Sequence, residues 1–201
     1  HGGDIVQQRL SGLEANWIEQ TEQLGTGHAV AQAMPHFNDN ETVLVLYGDV
    51  PLTHKDTLQA LLDQVSKNSM GLLTINLSDP TGYGRIVRDG NGKVERIVEH
   101  KDANESEYQI QEVNTGMLAV NGKQLRGWLN KLGSDNAQGE YYLTDCVGLA
   151  REDGFNCAVV EGDEEELIGV NSRIELALVE TIAQDRLREK ARKGGATLIA
   201  P

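Results

Sequence analysis

Uninterrupted apolar runs alternate along the chain with segments of helical periodicity. Residues 43–46 are four consecutive Val and Leu residues, a pattern typical of a strand that is buried on both faces. Residues 71–77 predict a second buried strand. Apolar side chains recur at helical spacing in three further segments, 56–67, 124–132 and 172–193. Because strands buried on both faces mostly belong to parallel sheets covered by helices, this pattern predicts an α/β fold with a mixed, mostly parallel sheet.

Shorter segments complete the predicted fold. They are a helix ending near residue 13, a strand over 16–18, a helix over 29–34, a hairpin over 85–88 and 93–98, strand-like segments over 109–113 and 117–120, a helix over 140–154 and a strand over 157–160. Asn114-Thr115-Gly116 separates the strand-like segments 109–113 and 117–120. The sequence there allows either a β-bulge or an asparagine that binds a ligand. Ser172 and Glu175 have the spacing of a capping box at the start of the last helix.

A carboxylate follows the first buried strand. Tyr47, Gly48 and Asp49 come directly after the apolar run, and Pro51 prevents further pairing through its own nitrogen. In open α/β sheets, ligands bind beyond the carboxyl ends of the strands, so Asp49 is a candidate site residue. The alternative is an ordinary Asx turn.

Two glycine-rich loops also follow predicted strands. Gly25-Thr26-Gly27 stands before a helix, where backbone N–H groups can approach a ligand, and Gln20 carries the donor and acceptor that suit a pyrimidine edge. The alternative is a plain capped helix with Thr26 as its N-cap and Gln20 in solvent. Gly84 belongs to a second such loop, which could equally be a turn into the hairpin, and Glu99 ends a hairpin strand, where a carboxylate is otherwise solvated.

The chain is strongly acidic. Its formal charge is −13 and its pI is about 4.7, which argues against nucleic acid or an anionic membrane as a partner. A small anionic substrate would need a cation beside it. Five acids in residues 161–166 have no metal-type spacing and predict a solvated loop. Cys146 and Cys157 predict two structural thiols, and the absence of a long apolar run predicts a cytoplasmic protein.

Seven motifs together resemble one protein family. They are QTEQLGTGHA (20–29), LYGDVP (46–51), PTGYGR (80–85), IVEHKD (97–102), EVNTG (112–116), NAQGEYYLTD (136–145) and GVN (169–171). In this order and spacing they resemble the uridyltransferase half of the bacterial bifunctional N-acetylglucosamine-1-phosphate uridyltransferase / glucosamine-1-phosphate acetyltransferase, over nearly the whole chain. The resemblance implies the Rossmann-like nucleotide-diphospho-sugar transferase fold.

The resemblance also implies a role for each motif. Uracil would be bound by Gln20, Gly25 and Thr26. Tyr47, Gly48 and Asp49 would lie along the ribose, the phosphates and the metal. N-acetylglucosamine would be held by Gly84, Glu99 and Asn114. Asp49, also the catalytic candidate, and Asn171 would bind Mg²⁺, which accepts one or two oxygen ligands from protein and takes the rest from water and phosphate.

The family pattern further predicts domain boundaries. Residues 1–171 would be the uridyltransferase domain, 172–195 a linker helix and 196–201 the start of a left-handed β-helix acetyltransferase domain. The family's glycine-rich phosphate loop and first strand–helix unit are absent from this sequence, and Ile168 stands where the family is expected to have Glu. We therefore expect this chain to be an inactive, monomeric piece of a homotrimeric parent.

The implied reaction joins UTP and N-acetylglucosamine-1-phosphate to give UDP-N-acetylglucosamine and pyrophosphate, for cell-wall and lipopolysaccharide precursors. Two alternatives remain. A non-catalytic nucleotide-sugar-binding module would fit the absent phosphate loop. A glycosyltransferase on a related fold usually carries Asp-x-Asp at the metal strand, and Tyr47 and Val50 break that pattern on either side of Asp49.

Overall fold

The computed structural model describes residues 3–199. The strands of this part are β1 (Thr42–Val45), β2 (Ser69–Asn76), β3 (Arg85–Arg88), β4 (Val94–Val98), β5 (Glu112–Asn121) and β6 (Asn156–Glu161). Its α-helices are α1 (Gly3–Arg9), α2 (Thr26–Gln32), α3 (Lys55–Asp63), α4 (Gly122–Leu129), α5 (Asp145–Glu152) and α6 (Arg173–Lys193). Short 3₁₀ turns at His100–Asp102 and Glu164–Glu166 lie near the candidate site. The predicted α/β class is confirmed.

Strand β5 lies at the centre of a mixed sheet. It pairs with β2 along one edge, and its other edge is shared by β1 and β3. The hairpin partner β4 extends the sheet beyond β3, and β6 extends it beyond β2. Asn114-Thr115-Gly116 lies within β5, where the register against β2 shifts between Leu72 and Thr74. The two predicted segments around Asn114 are therefore one strand with an irregularity.

The predicted predominance of parallel pairing is wrong. Among the pairings of residues 3–199, β2 with β6 is parallel and the other four are antiparallel. An apolar run indicates that both faces of a strand are covered, and β5 is covered on both faces while it runs antiparallel to β2. The apolar pattern thus predicted burial correctly and strand direction incorrectly.

Alternate residues of the central strands pack on opposite faces of the sheet. Leu72 and Leu118 belong to the larger core, which also contains residues of α4 and α5 such as Trp128 and Val147. Leu73, Met117 and Ala119 pack on the other face with Leu61 of α3. This period of two places helices on both sides of one sheet, as in other α/β proteins.

The first 40 residues are less buried than the sequence predicts. Residues 16–18 form no strand, and Trp17 and Ile18 are 41% and 38% exposed. No strand lies beside them within the described residues to accept ladder hydrogen bonds, which explains the difference. Helix α1 has no buried residue. Outside this segment, Leu46, predicted to be buried at the end of β1, is also 48% exposed.

Helix ends follow the local hydrogen bonds. Ser172 accepts from the backbone of Ile174 and Glu175 in the predicted capping box, and α6 ends at Lys193 before Gly194 and Gly195. Helix α5 starts five residues later than predicted because the Asn136 side chain bonds both backbone groups of Glu140 and holds a loop there. The three predicted domain ranges stay predictions, and residues 1, 2, 200 and 201 of them lie outside the described chain.

Both cysteines are free, buried thiols, as predicted. Burial raises the pKa of Cys146 to about 12 and that of Cys157 to about 11. Neither is therefore ionised near neutral pH, and both serve as small apolar groups in the core.

Candidate functional site

A cavity of about 500 Å³ opens where the loops after β1, β2 and β4 meet the irregular half of β5. Seven of the ten predicted site residues line it, and they are Thr26, Tyr47, Asp49, Gly84, Glu99, Asn114 and Asn171. These residues come from separate parts of the chain, and the fold brings them together at one opening. The role predicted for each remains a prediction.

The other three predicted residues flank the cavity. Gln20 donates from its amide nitrogen to the carbonyl of Gly25, which directly precedes the lining residue Thr26 (3.1 Å). Gly48 lies exposed between Tyr47 and Asp49, with open space where a Cβ would be. None of the three is distant from the opening, although none forms its wall.

The Gly25 loop is clamped against the segment that precedes α5. Gly25 has φ +107°, and a Cβ there would lie 2.7 Å from the Tyr141 carbonyl, so only glycine fits. The hydroxyl of Thr26 accepts from the backbone N–H of Leu143 (3.1 Å) rather than capping α2, whose N-cap is Gly25. The alternative of a plain N-cap at Thr26 is therefore wrong, because the hydroxyl joins two loops.

A backbone hydrogen bond joins the two predicted metal-binding segments. The N–H of Val170 donates to the carbonyl of Asp49 (2.8 Å), and Asn171 follows directly. The backbone N–H of Asn171 donates to the Glu175 carboxylate (2.7 Å), so the capping box of α6 also fixes this turn. Asp49 and Asn171 supply carboxylate and amide oxygens at the same wall, and this donor set suits Mg²⁺.

Asn114, which lines the cavity, has a buried side-chain oxygen (Oδ1) without a hydrogen-bond partner within the described chain. The backbone N–H of the same residue donates to the Gly84 carbonyl (2.9 Å), which joins two site segments. The accessible part of this amide lies in the cavity wall, so Asn114 is a candidate hydrogen-bonding contact for a ligand.

Glu99 is held by a threonine that the sequence did not single out. The Thr144 hydroxyl donates to Glu99 Oε1 (2.8 Å), and Thr144 itself is only 9% exposed. Thr144 occupies the N-cap position of α5 yet makes no capping bond there. Its hydroxyl orients the carboxylate instead, so Glu99 is not the freely solvated strand end that the sequence left as an alternative.

Tyr47 packs on the irregular part of β5. A Cβ at Gly116, which has φ +84°, would overlap the Tyr47 ring. Burial raises the pKa of Tyr47, and the nearby carboxylates of Glu99 and Asp49 raise it further. The phenol is therefore neutral and can donate a hydrogen bond.

The described lining of the cavity is negative. Its carboxylates belong to Asp49, Glu99, Glu140, Glu164 and Glu175, and no Lys, Arg or His side chain of residues 3–199 lines it. Burial raises the pKa of neighbouring Asp145, with Glu99 and Asp102 adding to the effect. No three His, Cys, Asp or Glu side chains of the described chain gather to hold a metal ion. A phosphate bound here needs a cation as counter-charge.

The acidic segment 161–166 is only partly the solvated loop that its composition predicts. The Glu166 carboxylate accepts from the backbone N–H of His54 (3.0 Å) and from the Thr57 hydroxyl (2.7 Å) at the start of α3. The negative charge thereby stabilises the positive end of the helix dipole. Glu164 and Ile168 line the cavity on either side of this contact.

A nucleotidyl transferase family profile matches residues 4–154. The chain belongs to the nucleotidyl transferase family. Asp49 lies within the matched range of this nucleotidyl transferase, whereas Val170, which donates a hydrogen bond to the Asp49 carbonyl, lies beyond it.

Curated relatives support the resemblance stated from the motifs. The bifunctional protein GlmU of Saccharophagus degradans is 52% identical over 202 residues, which cover 100% of this chain and 45% of that protein. GlmU of Pseudomonas paraeruginosa is also 52% identical, and 44% of its length is covered. This nucleotidyl transferase therefore spans less than half the length of these relatives.

Solved structures share the fold at low sequence identity. A UDP-glucose pyrophosphorylase complexed with UDP-glucose has a TM-score of 0.58 and 14% identity, over 73% of this chain and 57% of that chain. A glucose-1-phosphate thymidylyltransferase from Bacillus anthracis has a TM-score of 0.64 and 19% identity, over 92% and 73%. The predicted Rossmann-like fold is thereby confirmed. Within residues 3–199, no helix is both long and apolar enough to span a bilayer.

Proposed function

We propose that these residues form the nucleotide-sugar site of a uridyltransferase, which makes UDP-N-acetylglucosamine and pyrophosphate from UTP and N-acetylglucosamine-1-phosphate. The pairing of Asn114 and Glu99 in one cavity wall carries the proposal. An amide and a carboxylate together can bind the hydroxyls and the N-acetyl group of N-acetylglucosamine. Glu99 faces the same opening as an acceptor for further hydroxyls. The identity to GlmU proteins supports this choice of sugar nucleotide.

The proposed chemistry is an in-line displacement. An oxygen of the sugar phosphate attacks the α-phosphorus of UTP, the bond from that phosphorus to the bridging oxygen breaks, and pyrophosphate leaves with the bonding pair. No covalent enzyme intermediate is needed because the nucleophile is already an anion. This chain's contribution is to hold the sugar through Asn114, Glu99 and Gly84, and to orient the nucleotide through the Gly25 loop.

Asp49 and Asn171 are the residues that would hold Mg²⁺. Their oxygen donors and the hydrogen bond between the two segments fit this hard cation. A bound ion neutralises phosphate charge during transfer. The five carboxylates around the cavity make that counter-charge necessary.

Calorimetric titration of UDP-N-acetylglucosamine tests the metal assignment. We expect Mg²⁺ to tighten binding at least about tenfold, since two unit charges attract strongly in a partly buried site. Asp49→Asn removes most of this dependence, whereas Asp185→Asn on the exposed side of α6 is the matched control and keeps it. Equal affinity with and without Mg²⁺ contradicts the assignment. In the complete enzyme, Asp49→Ala is expected to nearly abolish turnover.

The same cavity favours a second candidate, a module that binds nucleotide sugar without catalysis. No basic side chain of the described lining can cradle a triphosphate. Pyrophosphate release from UTP and N-acetylglucosamine-1-phosphate by the 201-residue chain separates the two activities. We expect binding without measurable release by this chain alone, and sustained release would contradict that expectation.

A further inference from the structure

Glu166 attaches the segment before Asn171 to the end of the loop that follows β1. Its carboxylate accepts from the backbone N–H of His54 (3.0 Å) and from the Thr57 hydroxyl (2.7 Å). These two donors follow Asp49 closely in the sequence and belong to the start of α3. Glu166 therefore ties together the two segments that carry the predicted metal-binding residues.

Arg186 attaches the helix after Asn171 to the same loop. Its Nη1 atom donates to the backbone carbonyl of Leu52 (2.8 Å), which lies three residues after Asp49. Arg186 is half-buried and Leu52 is only 9% exposed, so water competes little for this charge-assisted bond. The contact lies roughly three and a half turns along α6 from its first residue, Arg173. It therefore fixes the direction of the helix as well as its start.

The two contacts lie on either side of the hydrogen bond that joins the metal-binding segments. The N–H of Val170 donates to the Asp49 carbonyl (2.8 Å), and by itself this bond would let Asn171 pivot about it. Glu166 holds the segment before this bond, and Arg186 holds the helix after it. Asp49 and Asn171 are distant along the chain, so no local backbone geometry sets the separation of their side chains. Glu166 and Arg186 together, called the clamp below, supply that constraint.

Magnesium is an ion whose binding depends strongly on such a constraint. Mg²⁺ requires near-ideal octahedral geometry with oxygens at about 2.0–2.1 Å, whereas Ca²⁺ accepts irregular geometry at about 2.3–2.6 Å. Groups that orient metal ligands without touching the metal commonly change metal affinity about 10–100-fold. Two oxygen donors on separate segments therefore favour Mg²⁺ only when those segments are held at a fixed separation.

We propose that the clamp positions the two metal-binding residues for Mg²⁺ and thereby favours this ion over Ca²⁺. Glu166 and Arg186 are positioning residues in this sense, since neither side chain lines the cavity and each acts through the segments that it joins. The inference rests on the proposed function and deepens it, because it names what sets the ion selectivity of the same site. Glu166 thus stabilises the start of α3 and also places Asn171.

Matched controls separate this role from general stabilisation of the fold. Glu165→Ala removes a carboxylate from the exposed position next to Glu166, and Arg192→Met removes a guanidinium from an exposed position of α6. A clamp that only stabilises the fold would weaken the binding of all ligands alike, whereas a clamp that positions donors changes the response to the metal. Glu166→Ala and Arg186→Met are therefore compared with these two controls.

Calorimetric titration of UDP-N-acetylglucosamine at increasing metal concentrations tests the clamp. We expect Glu166→Ala and Arg186→Met each to raise the Mg²⁺ concentration that gives half of the enhancement about tenfold or more. The corresponding Ca²⁺ concentration should change less than about threefold, because Ca²⁺ tolerates misplaced donors. Glu165→Ala and Arg192→Met should leave both concentrations as in the wild type.

Hydrogen exchange of the Val170 amide tests the clamp without any ligand. This N–H donates to the Asp49 carbonyl, so its exchange rate reports opening of the junction between the two segments. Glu166→Ala and Arg186→Met should accelerate this exchange about tenfold or more, since hydrogen bonds to charged groups contribute to stability on this scale. The two control variants should exchange at the wild-type rate.

The outcomes distinguish this inference from the proposed function. A folded Glu166→Ala or Arg186→Met variant with the wild-type response to Mg²⁺, or with equal losses for Mg²⁺ and Ca²⁺, overturns the positioning role alone. A wild-type chain that binds UDP-N-acetylglucosamine no more tightly with Mg²⁺ overturns the metal assignment and the clamp with it. A variant that unfolds is replaced by Glu166→Gln or Arg186→Gln, which keeps a polar side chain but loses the charge, and the same criteria decide.

Discussion

Gly116 links the backbone of β5 to the position of Tyr47, and its replacement by alanine is the sharpest test of the site geometry. A non-glycine residue at φ +84° costs about 1–2 kcal/mol. The new Cβ would also overlap the Tyr47 ring, and forcing a packed side chain aside costs about 1–3 kcal/mol. We therefore expect Gly116→Ala to lower the free energy of unfolding by about 2–5 kcal/mol in all.

The matched control is a second glycine-to-alanine substitution, for which we expect a gain in stability instead of a loss. Gly127 lies exposed in the middle of α4, with nothing within 4 Å of a Cβ built there. Alanine is the better helix former, so Gly127→Ala should stabilise the chain by about 0.5–1 kcal/mol.

Thermal unfolding measures both effects. At about 2–4 °C per kcal/mol for a chain of this length, Gly116→Ala should lower Tm by roughly 4–20 °C, whereas Gly127→Ala should raise it by about 2 °C. UDP-N-acetylglucosamine should also bind more weakly to Gly116→Ala, because the ring of Tyr47 must leave its place in the wall. Equal Tm values for the two variants would refute the reasoning.

Three further predictions concern single groups. Asn114→Leu should weaken UDP-N-acetylglucosamine binding about tenfold or more in calorimetry, because the sugar loses its contact with the amide. It should not lower Tm, since the side-chain oxygen loses no internal hydrogen bond. Thr144→Val should weaken binding by releasing Glu99 while Thr144→Ser preserves it, and equal affinities for both would contradict a role for the hydroxyl. Hydrogen bonds from the Asn104 backbone and from Arg96 lower the pKa of Glu107 in the folded chain. Its charged form therefore stabilises the fold at pH values above its unfolded pKa of about 4.3, and this contribution is lost as the pH falls through the lower folded pKa. Urea unfolding at about pH 3–6 should show a smaller loss of stability with acid for Glu107→Gln than for the wild type.

Strong local patterns predicted most of the fold. The apolar strands, the hairpin at Asp89 and the capping box at Ser172 each follow from a few adjacent residues, and the structure contains them all. Strand direction does not follow from such patterns, which explains the error about parallel pairing. Residues 16–18 have the composition of a strand but lack a neighbour to pair with, and pairing is a property of two segments.

The candidate site was predictable where residues stand at strand ends, as Asp49 and Glu99 do. Thr144 was missed because a threonine before a helix normally predicts a cap, and only the fold shows its hydroxyl on Glu99. The seven lining residues were located by their motifs, whereas the side-chain contacts of His28 with Gln20 and Gln32 were not. Such contacts depend on how a loop folds back onto a helix, which no local pattern encodes.

The central place of β5 has a consequence for the order of folding. This strand joins partners that are distant along the chain, such as Val43 with Val120, and β2 in turn joins β6 at Met70 and Cys157. Closing such long loops is slow, because entropy is lost before contacts repay it. Part of the cavity wall belongs to β5 itself, so we expect the cavity to form only when these long-range pairings are complete, and binding competence to appear together with the native state.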